Sequence, residues 1–263
     1  MLNALRWPAI AALGLLVLVF AVLTACQRAM IYYPNKVVVA PRTPGVEAVR
    51  IATPDGETLV AWHARARAGQ PTFLFFDGNG GAPEGNELRW REIVAHGAGF
   101  LAVYYRGYSG STGKPTEAGL HTDARAGYDW LVQEGVPPSD IVIHGLSLGS
   151  GVATKLASER PARALVLEAP YTAAVDVARL RYPWLPVGML MQDQFRSRDW
   201  IGAVDMPVLI VHGDRDSVIP FAQGQRLYEL AKEPKRFVRI EGGEHNTLVE
   251  QGLYAHVWNF LER

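Results

Sequence analysis

The chain has 263 residues, 49% of them hydrophobic, enough to fill the core of one large α/β domain. Its 26 basic and 26 acidic residues cancel and no basic block stands out, which argues against nucleic acid as a partner. A lone cysteine, Cys26, excludes an intrachain disulfide framework.

Residues 1–25 read as a signal peptide or membrane anchor. Arg6 precedes an apolar run, Pro8 to Ala25, that ends in small residues. Leu23-Thr24-Ala25-Cys26 resembles a bacterial lipobox, in which the chain is cut before the cysteine and the cysteine is lipidated. Lipidation would also explain a solitary exported thiol. The other reading is an uncleaved anchor, because about 18 apolar residues just span a bilayer. Either way the expected location is the membrane surface of a bacterial cell envelope, reached through lipidated Cys26 or a single N-terminal transmembrane helix. Residues 26–45 read as a tether broken by Pro34, Pro41 and Pro44, with Ile31-Tyr32-Tyr33 packing on the domain or at the membrane interface. Residues 46–263 form the globular domain.

Within it, Ala48–Thr53 and Thr58–Ala64 flank the turn Pro54-Asp55-Gly56, a hairpin. Thr72–Phe76 is a short apolar run that predicts a strand buried on both faces. A helix follows from about Gly85 to His96, then a strand from Phe100 to Tyr104 and a helix from about Glu117 to Gln133. Ile141 to His144 is the next strand, and a helix runs from Gly149 to about Arg160. Ala164–Leu167 is a strand. Residues 172–204 are too long for a plain connection and predict a small helical cap insertion. Val208–Val211, a helix over Phe221–Ala231, Phe237–Ile240 and a closing helix over Thr247–Leu261 complete the chain. Strands alternating with helices predict a mostly parallel, doubly wound sheet behind an antiparallel hairpin.

Chemistry concentrates at Gly145-Leu146-Ser147-Leu148-Gly149. This is G-x-S-x-G between a strand and a helix, the setting in which the middle serine is lifted above the sheet as a nucleophile. A serine hydroxyl needs a base, and the base needs an orienting carboxylate. His245, in Gly242-Gly243-Glu244-His245-Asn246 after the last strand, is the base candidate. The residues alone leave three carboxylates open as the acid: Asp214 and Asp216 after the Val208 strand, and Glu168 at the end of the strand before. The developing oxyanion needs about two N–H donors. Leu148, directly after the serine, supplies one, and Asn79 in the Gly-rich loop Asp77-Gly78-Asn79-Gly80-Gly81 supplies the other. His144 and His212 read as packing or loop-bonded residues, and no histidine–carboxylate spacing suggests a metal.

Together Gly78-Asn79-Gly80, Tyr105-Arg106-Gly107-Tyr108-Ser109-Gly110-Ser111, the Ser147 motif, His212-Gly213-Asp214-Arg215-Asp216-Ser217-Val218-Ile219-Pro220 and Gly243-Glu244-His245-Asn246 are similar to the bud-emergence-like α/β-hydrolases, a group of membrane-associated serine hydrolases. The similarity also takes in Ile31-Tyr32-Tyr33-Pro34 and the insertion around Tyr182 to Phe195. It implies the α/β-hydrolase fold and assigns the acid to Asp216 rather than Asp214. It also marks a departure: that family usually has a histidine where this chain has Asp77, and a carboxylate there would add negative charge near the oxyanion unless turned away or paired, with Arg106 a candidate partner.

The expected activity is therefore hydrolysis of esters or thioesters through Ser147, His245 and Asp216 by way of an acyl-enzyme, with no cofactor. The substrate is expected to be an acylated small molecule or lipid, with Trp184, Leu185, Met189, Leu190, Met191 and Phe195 lining or covering an acyl pocket. Rival readings are an acyltransferase or amidase of the same fold and a non-catalytic envelope lipoprotein.

Overall fold

A computed structural model describes residues 2–262, and the side chains of all of these but 2–9, 12, 13, 16, 17, 83 and 84. The chain begins with the 30-residue helix α1 (Leu2–Ile31). The elements β1 (Glu47–Ala52), β2 (Thr58–Ala64), β3 (Thr72–Phe76), α2 (Glu87–Ala95), β4 (Gly99–Val103) and α3 (Glu117–Gln133) follow. Then come β5 (Ile141–Leu146), α4 (Leu148–Ala157), β6 (Ala164–Glu168) and the cap helices α5 (Ala174–Arg181), α6 (Val187–Leu190) and α7 (Ser197–Trp200). The chain closes through β7 (Val208–Gly213), α8 (Phe221–Leu230), β8 (Lys235–Ile240) and α9 (Leu253–Leu261).

The strands form one eight-stranded sheet in the order β1-β2-β4-β3-β5-β6-β7-β8. β1, β2 and β4 pair antiparallel, and every pair from β4 through β3 to β8 is parallel. The predicted α/β-hydrolase architecture is thus the observed one. Each residue of β3 is buried because both sheet faces are covered, which is why that strand reads as unbroken apolar sequence. Alternation still assigns the sides. Phe73 packs edge-on against Tyr254 and Trp258 of α9, and Phe75 against Trp90 of α2. Leu74 faces the opposite way, onto α3 at Gly127.

Two boundaries differ from the sequence-based expectation by more than three residues. The final helix starts at Leu253, because Thr247 to Gly252 form turns that end on Gly252 with φ +87°. α1 continues through Cys26 to Ile31, and Pro34 bars helix at the residue before it, Tyr33. The segment expected to be a tether is therefore docked at its start. Gln27 exchanges hydrogen bonds with Leu190 and Gln192 of the cap, at 3.1 and 2.6 Å. Arg28 pairs with Asp193 at 2.9 Å, and the buried Tyr32 hydroxyl donates to the same carboxylate. Tyr32 also meets Phe195 edge-on. Among the described residues no helix is both long and apolar enough to cross a membrane. Ile10, Leu15, Leu18, Val19 and Val22 of α1 are nonetheless exposed, as are Trp184 and Met189 at the cap tip.

Candidate active site

The site sits where the parallel strands end. β5 runs into Leu146, the chain turns at Ser147, and α4 begins at Leu148. Ser147 has φ +52° and ψ −119°, a strained conformation for a residue with a side chain. The turn is this tight because two positions lack Cβ atoms: one at Gly145 would strike Gly149, and one at Gly149 would strike the carbonyl of Phe76. The Ser147 N–H donates to the Glu168 carbonyl at 2.9 Å, tying the elbow to β6.

The β7 and β8 exit loops bring the other two groups in. Ser147 Oγ lies 2.9 Å from His245 Nε2, and His245 Nδ1 lies 2.7 Å from Asp216 Oδ2. The carboxylate fixes the proton on Nδ1 and leaves Nε2 free to accept from the serine hydroxyl. Asp216 is itself immobilised: Oδ1 accepts the N–H groups of Val218 and Ile219 at 2.9 and 2.7 Å. Its side chain is fully buried, which by itself would raise its pKa. Hydrogen bonds from His212, His245 and Ile219 outweigh burial and hold the carboxyl well below the usual range.

His212 is the residue that sequence reasoning undervalued. It does bond its loop, as expected, through Nε2 and the Ile219 carbonyl at 3.0 Å. The same nitrogen is 3.3 Å from Asp216 Oδ2, so it also braces that carboxylate. Its burial at the end of an apolar strand was the available signal. The rival acids lie elsewhere. Asp214 pairs with Arg239 and accepts from the Gly242 N–H. Glu168 is buried against Arg89, with contacts of 2.9 and 3.2 Å, and lies 3.4 Å from His144. Burial opposes ionisation of Glu168, yet Arg89 and His144 bring it down to about 2. His144 is fully buried against the Phe75 ring, and burial pushes its pKa down.

The loop that follows β3 shows what Asp77 does. Its carboxyl folds back on the loop, accepting the Gly78 N–H at 2.7 Å and the Asn86 amide at 2.7 Å, and fills the space a Cβ at Gly81 would need. Arg106 is not its partner; that guanidinium bonds Asp55 and Asp123, each at 2.8 Å. With the Gly78 N–H consumed, Asn79 carries the next one along the loop, and no described residue accepts it. Leu148 N–H stands at the amino end of α4. Burial pushes Asp77 up to about 6, only partly offset by the Gly78 N–H, Arg89 and Asn86. A folded pKa above the unfolded one means the native state holds the extra proton between about pH 4 and pH 6, so stability falls as pH rises through that window. Melting curves check it: between pH 4 and pH 7.5 the wild type should lose more thermal stability than Asp77→Asn, whose side chain stays neutral throughout.

A cavity of about 460 Å³ opens at Ser147 and His245. Its lining mixes polar side chains, Asn79, Asn86, Arg89 and Glu250 among them, with the apolar Leu88, Val218 and Val249. None of its lining comes from residues 172–204, contrary to the expectation that the cap lines an acyl pocket here. The cap is engaged on α1 instead. Leu185, Leu190 and Met191 face Leu23, Met30 and Ile31 across a second, apolar groove of about 150 Å³. Phe195 is buried between Tyr32 and His121.

An eight-stranded sheet of this order, with a serine elbow meeting a histidine and a carboxylate at its carboxyl edge, defines an α/β hydrolase. A family model described as an alpha/beta hydrolase domain matches residues 115–252. An uncharacterised protein of Mycobacterium tuberculosis is 39% identical over 229 residues, covering 84% of this chain and 80% of that one. Lysophosphatidylserine lipase ABHD12 of Danio rerio is 32% identical over 195 residues, 66% of this chain and 51% of that protein. Among solved structures, the Pyrococcus furiosus esterase Pf2001 superposes with a TM-score of 0.71 at 21% identity, over 88% of this chain and 99% of that one. The chain belongs to the α/β-hydrolase family.

Proposed function

We propose that this protein is a serine hydrolase that cleaves carboxylic esters or thioesters of acylated or lipidic substrates, working at a membrane surface. The observation that carries the proposal is the unbroken hydrogen-bond line from Asp216 through His245 to Ser147. His245 takes the serine proton as Oγ attacks the acyl carbonyl. The N–H groups of Leu148 and Asn79 hold the oxyanion. His245 returns the proton to the leaving alcohol or thiol, and the acyl group stays on Ser147. Water then enters and loses its proton to His245 as it attacks the acyl carbon; the bond to Ser147 Oγ breaks, His245 returns the proton to Oγ, and the acid leaves. Asp216 holds the imidazole tautomer and stabilises its charged form throughout.

The lipidic substrate is supported by three observations: the likeness to a lysophosphatidylserine lipase, the exposed apolar side chains of α1 and the cap tip, and a cavity lined by both polar and apolar side chains. Attachment through Cys26 or α1 would keep the site beside such a substrate; Cys26 is exposed. The bud-emergence-like grouping belongs to the same proposal. A panel of p-nitrophenyl esters and acyl thioesters from two to sixteen carbons, given to the full chain in detergent micelles, tests the substrate class. Turnover should rise beyond acetyl. A peak at acetyl with no activity on longer chains would contradict a lipidic substrate.

A further inference from the structure

The loop that offers the Asn79 N–H is made of Gly78, Gly80 and Gly81 around one larger residue. Glycines let the loop approach the serine, but they also leave it conformationally loose. A donor that must wait in position for a developing charge needs rigidity from elsewhere. Here it comes from the segment that directly follows α1. The Tyr33 N–H donates to the Asn79 carbonyl at 3.0 Å, and the Asn79 side-chain amide donates back to the Ile31 carbonyl at 3.2 Å. Asn79 thus meets residues 31–33 through both main chain and side chain. Two further bonds lock the arrangement from the far side: the Tyr108 hydroxyl donates to the Asn79 carbonyl at 2.8 Å, and the Ser109 N–H donates to the Asn35 carbonyl at 2.6 Å. The segment itself is anchored to the cap through Gln27, Arg28 and Tyr32.

We infer that residues 31–35 are a positioning element of the active site, a clamp that holds Asn79 so that its N–H faces the oxyanion. The inference rests on the reading of Ser147 as nucleophile and Asn79 as oxyanion donor. The stretch linking the N-terminal helix to the domain is then not a passive leash. Catalytic competence depends on its being seated, and seating depends on how α1 lies against the cap. The clamp lies after Cys26, so processing before that residue would leave it intact.

The test uses the full chain in micelles and two variants that break the clamp from opposite sides. Tyr33→Pro removes the N–H given to Asn79. Asn79→Ala removes the amide given to Ile31 but keeps the backbone N–H of residue 79. Each is measured for the rate of fluorophosphonate labelling and for kcat and KM on a soluble ester, beside a thermal melt. Because the clamp acts on charge developing in the transition state, each variant should lower kcat and the labelling rate by about 10- to 100-fold with KM within about threefold. A folded Asn79→Ala that labels and turns over at the wild-type rate would overturn the clamp, whatever Tyr33→Pro does to folding. So would a fall confined to KM. Failure of the wild type to label at Ser147 would instead sink the proposed function, so the two failures are distinguishable.

Discussion

Asp216→Asn is expected to lower kcat on a short-chain ester by about 10⁴-fold, with the fold preserved. The size of the effect comes from tautomer control. Asp216 Oδ1 is committed to two backbone N–H groups, so an asparagine at 216 must keep its carbonyl oxygen there. Its NH₂ then occupies the Oδ2 place, 2.7 Å from His245 Nδ1, and presents a hydrogen where the imidazole now offers one. The ring answers by moving its proton to Nε2. That nitrogen then donates toward Ser147 instead of accepting from it, and the serine loses its base. Steady-state hydrolysis at saturating substrate reads the loss. A fall of less than tenfold would mean that Asp216 does not control the histidine.

The largest expected effect on stability is at Arg89. Its buried guanidinium borders the cavity and is bonded to Glu168, Asn86 and the Tyr254 hydroxyl. Arg89→Met leaves the Glu168 carboxylate buried without its main counter-charge, which costs about 3–5 kcal/mol. For a chain of this size that is a fall of about 10 °C in thermal midpoint. Glu168 is depressed to about 2, below its unfolded value, so the stability it gains from its partners is present above about pH 4.5 and lost as pH falls toward 2. The damage from Arg89→Met should therefore be greatest at neutral pH and shrink in acid. The double variant Arg89→Met with Glu168→Gln should recover much of the loss, since the stranded charge is gone. No recovery would show that Arg89 acts through packing on Phe75 and Tyr254 rather than through the ion pair.

How much of this was legible in the sequence follows from how far each signal travels along the chain. The elbow is local: glycines two residues either side of Ser147 and an apolar run before it are enough to place the serine. The two rival aspartates show the limit. Asp214 and Asp216 share a loop and a spacing, and only the turn geometry sends one to Arg239 and the other to His245. Glu168 was a fair acid candidate because it ends the right kind of strand. Its removal from contention depends on Arg89, 79 residues away in sequence, which no periodicity reveals. The same holds for the bonds between Asn79 and residues 31–33 and for Asp77, whose charge looked adverse until its bonds to Gly78 and Asn86 were seen to hold it on its loop. The cap was legible as an insertion, but its partner was not. Its apolar residues suited an acyl pocket and α1 equally well; the structure puts Leu185, Leu190 and Met191 against α1 and leaves Trp184 and Met189 exposed.

The central claim is an activated serine at position 147. Intact-mass spectrometry of the full chain after exposure to a fluorophosphonate tests it most directly. Wild type should gain one adduct, Ser147→Ala none, and His245→Ala should react at least about 10³-fold more slowly. A folded wild type that gains no adduct, or an adduct that persists in Ser147→Ala, would contradict the account.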